Sequence, residues 1–299
     1  MAFFKLTGGK ATQILPLPGQ KEKDVQDIVE SNLEAIFAVR FVYHEFPTGA
    51  KHRGRIDTLG LDEDGSPVIL EYKRFSSENI INQGLFYLDW LMDHRGDFEL
   101  AAFKALGDTT KVVWDQPRLI LLAEGFSRYD QYAVNRIDER IELWTYTIYQ
   151  GQLLRIERMD TEDVPATKTK KGPSPKQPKK PKKPSGFSLN HHLAKMGPNS
   201  QALFDQLRQQ ILALGDDVTE RFMNQYIGYR RLKNFAEVVG LKGSLNIFID
   251  GPIKDTEGVG DDVSNIGHWG TGDLRVKVSN EEDLEKCLTL IKQAYELQH

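Results

Sequence analysis

RIDTLGLDEDGSPVILEYK, Arg55 to Lys73, decides how the first half of the chain is read. The runs RIDTLGL and PVILEYK carry residues that suit strands, and Asp62-Glu63-Asp64-Gly65-Ser66 between them supplies turn chemistry. The stretch therefore predicts a β-hairpin. Side chains alternate faces along a strand, so Glu71 and Lys73 point one way and Tyr72 the other. Antiparallel pairing about the turn puts Asp57 across from the Glu71 and Lys73 end. Two carboxylates and one ammonium then converge on one spot.

Such a cluster suits phosphodiester cleavage. Mg²⁺ takes oxygen ligands, commonly one or two carboxylates completed by water and substrate phosphate, and Asp57 and Glu71 are such a pair. A cation held there would polarise a phosphoryl oxygen and lower the pKa of a bound water. Lys73 would position that water or offset charge developing on the phosphate. The same residues equally suit a solvated hairpin whose acids pair with Lys73, an arrangement of little net worth. Spacing alone leaves both readings open.

The flanking sequence predicts an α/β domain. From Lys23 to Ala38, apolar residues recur at near-helical spacing, with Glu30 at the edge of the apolar stripe and Glu34 on the solvated side. The start of the chain before this helix, with Pro16, Pro18 and Gly19, reads as unstructured. Arg40 to Glu45 reads as a strand ended by Pro47-Thr48-Gly49. Lys51, His52, Arg53 and Arg55 cluster just before Asp57; they suit a grip on a nucleic-acid backbone or a loop neutralising nearby acids. A helix capped at Ser76 or Ser77 runs to Asp93 and carries Gln83 and Tyr87 on one face. Further helices over Asp97 to Leu106 and Ser127 to Ile137, a buried strand over Arg118 to Ala123, and a hairpin of Ile141 to Tyr149 with Gln152 to Met159 complete a mixed sheet flanked by helices.

Glu30, Asp57, the Glu71-Tyr72-Lys73 triplet, and Gln83 with Tyr87 resemble the PD-(D/E)xK nuclease superfamily in motif order and spacing. Within it, GRIDTLGLDEDGSPVILEYKR followed by NQGLFYLDWL is similar to the NucS-like DNA endonucleases. The resemblance covers about residues 22 to 160. It implies a restriction-endonuclease-like sheet. It also implies that Glu30, Asp57 and Glu71 surround a Mg²⁺ ion, for which Mn²⁺ can substitute, that Lys73 assists attack, and that Gln83 helps position the site. Arg55, Arg74 and Tyr87 are candidates for contact with DNA. Ile56 stands where the superfamily name has proline, a departure that touches no ligand.

Charge is unevenly distributed. The net charge is −4, but residues 1–164 carry 19 Lys and Arg against 27 Asp and Glu, whereas residues 165–186 carry eight Lys and no acid. That second stretch, with Pro173, Pro175, Pro178, Pro181 and Pro184, cannot build a core and reads as an extended linker. Its lysines, among them Lys179, Lys180, Lys182 and Lys183, suit non-specific, salt-sensitive DNA binding or a plain solvated spacer. The expected organisation is an extension over 1–21, a nuclease-like domain over 22–164, a linker over 165–186 and a small α/β domain over 187–299.

In this last part, Ser200 to Leu214 reads as a helix ended by Gly215, Phe235 to Val239, Ser244 to Asp250 and Asp273 to Val278 as strands, and a final helix as running from Asn280 to Leu297. Val218 to Phe222 suits a short strand. The glycine-rich stretch Gly251 to Gly272 lacks the lysine of a P-loop and reads as a structural loop. The segments YIGYRRLKNFAEVV and GVGDDVSNIGHWGTGDLRVKV resemble an uncharacterised domain family that accompanies nucleases and is sometimes labelled a predicted transport protein. The absence of any membrane-length apolar run argues against that label. Tyr226, Tyr229, Arg230, Arg231, Lys233, His268 and Trp269 mix aromatic and basic groups that suit stacking on bases and contact with phosphates; a packed core or a protein partner suits them equally. One cysteine, Cys287, excludes an intramolecular disulfide, and the expectation is a cytoplasmic protein without a membrane span. The expected function is a Mg²⁺-dependent DNA endonuclease of repair or of defence against foreign DNA, for which a homodimer would suit two-strand cleavage. A catalytically silent nucleic-acid-binding fold, an interaction scaffold and an RNA-directed nuclease are the alternatives.

Overall fold

The computed structural model describes residues 2–17, 19–49, 54–74, 80–107, 111–159, 187–266 and 271–298. Lys51, His52, Arg53, Ser76, Ser77, the linker lysines, His268 and Trp269 lie outside the described residues. The chain divides into two compact units, one of residues 1–34, 39–61 and 66–185, the other of residues 35–38, 62–65 and 186–299. No described helix is long and apolar enough to cross a membrane.

The first unit begins with a hairpin where the sequence reading expected an unstructured start. β1 (Phe3–Thr7) and β2 (Lys10–Ile14) pair antiparallel about Gly8 and Gly9, whose φ angles of 58° and 78° are the left-handed pair that a two-residue turn requires. The following residues tie into a later strand, with Leu17 N–H donating to Ile148 O at 2.7 Å and Gln150 N–H to Leu15 O at 2.9 Å. The expected helix over 23–38 is two helices, α1 (Glu22–Glu30) and α2 (Leu33–Phe37). At the break, Ser31 Oγ donates to Asp27 O and Asn32 Nδ2 to Ile28 O. These polar side chains satisfy carbonyls that the helix end leaves open.

Six strands form one mixed sheet in the order β3 (Val39–Pro47), β4 (Arg55–Asp62), β5 (Pro67–Lys73), β6 (Arg118–Ala123), β7 (Arg140–Tyr149) and β8 (Leu153–Arg158). The β4–β5 and β7–β8 pairs are antiparallel, and β5–β6 and β6–β7 are parallel. Parallel neighbours need a crossover; α3 (Ile80–Asp93) and α4 (Arg95–Leu106) supply the first, and α5 (Arg128–Val134) the second. Leu59, Ile69, Leu119, Leu121 and Leu143 meet Leu88, Leu91 and Phe98 of these helices in one buried cluster. Strand alternation places Glu71 on the same face as Ile69 and Tyr72 on the other.

The second unit is an antiparallel sheet in the order β13 (Gly260–Asp262), β14 (Leu274–Val278), β12 (Leu245–Ile249), β11 (Asn234–Gly240), β10 (Ile227–Arg230) and β9 (Thr219–Phe222). It is joined by α6 (Leu189–Leu193), α7 (Pro198–Leu212) and α8 (Glu281–Glu296). Leu203, Leu207 and Ile211 share a core with Ile227, Tyr229, Phe235, Ile247 and Ile291. Asn280 caps α8 by accepting from the Asp283 N–H at 2.9 Å. Two strands went unread in the sequence. β10 lies within the aromatic and basic run at 226–231, and β13 lies inside the glycine-rich stretch.

Gly84 sets how closely α3 approaches the sheet. A Cβ there would lie 2.7 Å from Leu119 Cδ2 and 3.1 Å from Leu121 Cδ2. Alanine would gain about 1 kcal/mol in helix propensity, but overpacking costs typically 1–3 kcal/mol. Gly84→Ala is expected to lower the urea midpoint, for a net loss of about 1 kcal/mol; an unchanged or raised midpoint would show that the helix can back away freely.

Candidate active site

The ladder between β4 and β5 runs as far as Thr58 opposite Leu70, and beyond it side chains replace backbone carbonyls as acceptors. Asp57 N–H donates to Glu71 Oε1 at 3.1 Å, and Tyr72 N–H donates to Asp57 Oδ2 at 3.1 Å. Each carboxylate is thus held by the strand that carries the other. Glu71 is fully buried and Asp57 half-buried. Burial, and then the Asp57 charge, push the Glu71 carboxyl well above its ordinary range. Burial also raises Asp57, against the opposing effects of the Tyr72 N–H and the Lys73 charge.

Gln83 reaches this pair from α3. Its Nε2 donates to Glu71 Oε2 at 3.0 Å and lies 3.3 Å from the Tyr87 hydroxyl. Tyr87 is buried against Gly54, where a Cβ would lie 2.8 Å from its ring. The loop before β4 is pinned there by Thr48, whose Oγ1 donates to Gly54 O and accepts from Gly54 N–H, both at 2.9 Å. Lys73 Nζ lies 3.5 Å from Glu22 Oε2, and Glu22 Oε1 accepts from Arg74 N–H at 3.2 Å.

Glu30 is placed elsewhere. It accepts from Thr58 Oγ1 at 2.5 Å and from Gln26 Nε2 at 3.0 Å, and its second oxygen lies 2.8 Å from His44 Nδ1. Thr58 follows Asp57 in the strand and so faces the other side of the sheet. Among the described residues, no three His, Cys, Asp or Glu side chains are placed to hold one metal ion; the partners of Glu30 are Thr58, Gln26 and His44, while Asp57 and Glu71 hold each other's strands. Sequence reasoning also passed over Glu22, Gln26, His44 and Thr58, which no motif marks. Only the i, i+4 spacing of Gln26 and Glu30, and of Glu22 and Gln26, hinted at a shared face.

Of the proposed contacts to nucleic acid, Arg55 pairs with Glu45 at 2.8 Å. Arg230 is buried, with its Nη2 donating to Leu232 O. Arg231 Nε donates to Asp217 Oδ2 at 2.6 Å, and its guanidinium lies 4.9 Å from the Tyr295 ring centre. Tyr226 and Tyr229 are buried as well. Tyr226, Tyr229 and Arg230 thus belong to the second unit's interior, whereas Lys233, its side chain 49% exposed, lies at the surface with its Nζ 2.7 Å from Asp250 Oδ2.

Residues 190–298 match the family described as "Domain of unknown function (DUF5655)". Over 302 aligned residues the chain is 28% identical to an uncharacterised protein of Haemophilus influenzae, an alignment that spans 98% of this chain and 99% of that protein. Among solved structures, a repair endonuclease from Pyrococcus abyssi aligns with a TM-score of 0.30 at 22% identity, over 41% of this chain and 46% of that one. An EndoMS–dsDNA complex aligns with a TM-score of 0.31 at 16% identity, over 48% and 64% of the two chains. The chain thus spans about half to two thirds of the length of the solved structures it resembles.

The buried pair makes stability depend on pH in a stated direction. A carboxyl whose pKa is raised on folding binds its proton more tightly in the native state, so it favours folding at low pH and opposes it as the pH climbs through the raised native value. In chelator, melting temperature is expected to fall as the pH rises above the ordinary carboxylate range. Glu71→Gln should flatten that fall and add about 0.5–2 kcal/mol at neutral pH. A variant less stable than wild type at neutral pH would contradict this account.

Proposed function

We propose that this chain is a divalent-cation-dependent DNA endonuclease, with its active site at the open end of the β4–β5 hairpin. The observation that carries this reading is the Asp57–Glu71 pair, two carboxylates held against each other with burial opposing the charge of both. Such a pair is costly as a structural device and suits a hard cation, whose charge offsets theirs. The donor set fits Mg²⁺ or Mn²⁺ completed by water and phosphate oxygens, and the sequence motif includes both residues.

Bound between Asp57 and Glu71, the cation would supply Lewis-acid polarisation of a phosphoryl oxygen and a more acidic water. The chain's own contributions are orientation and charge. Gln83 fixes one Glu71 oxygen and the Asp57 N–H the other, so the carboxylate cannot swing. Lys73, its side chain 24% exposed beside Glu22, would carry its ammonium to the scissile phosphate and offset the negative charge that develops there. Both acids must be deprotonated to hold the cation, so cation affinity and cleavage should rise with pH. DNA is the proposed substrate on the strength of the motif's resemblance. The first 164 residues are net acidic and repel DNA at long range; the lysines of 165–186 would supply the cationic arm that offsets this.

The test is incubation with linear, circular, mismatched, branched and modified DNA, and with single-stranded RNA, in Mg²⁺ or Mn²⁺. Cleavage of DNA is expected with either ion and none in chelator. Asp57→Asn and Glu71→Gln should abolish it, and Lys73→Ala should lower the rate about 10²–10³-fold. Wild type that binds DNA but leaves every substrate intact would instead establish a silent nucleic-acid-binding fold, and cleavage confined to RNA would reassign the substrate.

A further inference from the structure

Glu30 has the credentials of a third cation ligand by motif, yet both of its oxygens are already engaged by protein groups on the far side of the sheet. Oε1 takes Thr58 Oγ1 at 2.5 Å and Gln26 Nε2 at 3.0 Å; Oε2 takes His44 Nδ1 at 2.8 Å. A carboxylate only accepts, so His44 carries its proton on Nδ1 and donates it here. The 3.3 Å approach of Gln26 Nε2 to that same nitrogen is then a contact between two donors, not a bond. Thr58 has one hydroxyl proton and gives it to Glu30. The Tyr72 hydroxyl, 3.3 Å away, must therefore be the donor of that contact.

These bonds join three elements at one point. Gln26 and Glu30 come from α1, His44 from β3 and Thr58 from β4. Gln26 Nε2 also donates to the backbone carbonyl of Asp57 at 3.0 Å. Gln26 and Thr58 are buried, and the Glu30 side chain is 12% exposed. The carbonyl and the adjoining residue of the β4 segment that carries the Asp57 carboxylate are thus gripped from behind.

We infer that Glu30 is not a cation ligand but the hub of a clamp, with Gln26, His44 and Thr58, that fixes the backbone at Asp57 and so aims the Asp57 carboxylate at Glu71. The clamp builds on the cation-site reading proposed above, but its own bonds do not depend on a cation. Glu30, Gln26 and His44 are positioning residues. The two roles make opposite demands on conservative substitution. A ligand carboxylate loses its charge in Glu30→Gln and fails about as badly as in Glu30→Ala. A clamp keeps its Thr58 acceptor in Glu30→Gln and fails only in Glu30→Ala.

Two measurements decide between them in the full chain: Mn²⁺ affinity by calorimetry, and hydrogen exchange at the Asp57 and Tyr72 amides, which make the two bonds of the carboxylate pair. Glu30→Ala and His44→Ala are expected to weaken Mn²⁺ binding about 10-fold and to speed exchange at both amides about 10-fold. Glu30→Gln and His44→Gln should stay within about 3-fold of wild type on both readouts, with exchange elsewhere in the sheet unchanged. The inference is overturned if Glu30→Gln weakens Mn²⁺ as much as Glu30→Ala while the Asp57 and Tyr72 amides exchange at the wild-type rate. Should wild type bind no Mn²⁺ at all, the cation-site reading falls by itself. The amide rates then decide the clamp alone, and unchanged rates in Glu30→Ala would end it.

Discussion

Two hydrogen bonds, Asp57 N–H to Glu71 and Tyr72 N–H to Asp57, are the constraint on which the first unit turns. They occupy the place where a further pair of ladder bonds would extend β4 and β5. Substituting carboxylates for carbonyls keeps the backbone donors satisfied and leaves the strands close, but it confines two carboxyl groups at the end of the β4–β5 ladder, where burial works against their charge. Every neighbour bears on that confinement. Gln83 holds Glu71 from α3, Tyr87 backs Gln83, and Gly54 and Gly84 leave the room that lets loop and helix close in.

The hairpin was legible because its signals are local. Turn residues, strand-forming runs and the two-residue spacing of Glu71 and Lys73 lie within one short stretch. The helix with Gln83 and Tyr87 was also legible, since 3.6-residue periodicity puts both on one face. Glu30 shows where such reading stops. Its helix and its inward direction follow from the apolar stripe, but which side of the sheet that helix covers depends on how β3 and β4 lie beneath it, a long-range outcome that no window of sequence contains. The partners Gln26, His44 and Thr58 come from three elements and share no motif, so nothing local ties them together.

The second unit teaches the converse. Tyr226, Tyr229 and Arg230 have the composition of a nucleic-acid surface, but β10 is buried at all four of its positions and Tyr226 beside it is buried too; composition does not tell a strand covered on both faces from an exposed one. The N-terminal hairpin failed for another reason. FFKLT and KATQI are short and only weakly alternating, yet Gly8-Gly9 between them is one of the stronger turn signals a sequence offers. The prolines that follow, Pro16 and Pro18, are loop signals that compete with it.

The attachment of residues 15–17 to residues 148–150 has a kinetic consequence. β7 extends beyond β6, whose pairing with it ends at Ala123 opposite Thr145, and the beginning of the chain fills the place so left open. The first unit is thereby closed by a contact between segments more than a hundred residues apart. Loops of that span close late and slow the search for the native topology. On a ribosome, this unit would have to wait for its last hairpin to emerge before its first residues could find their place.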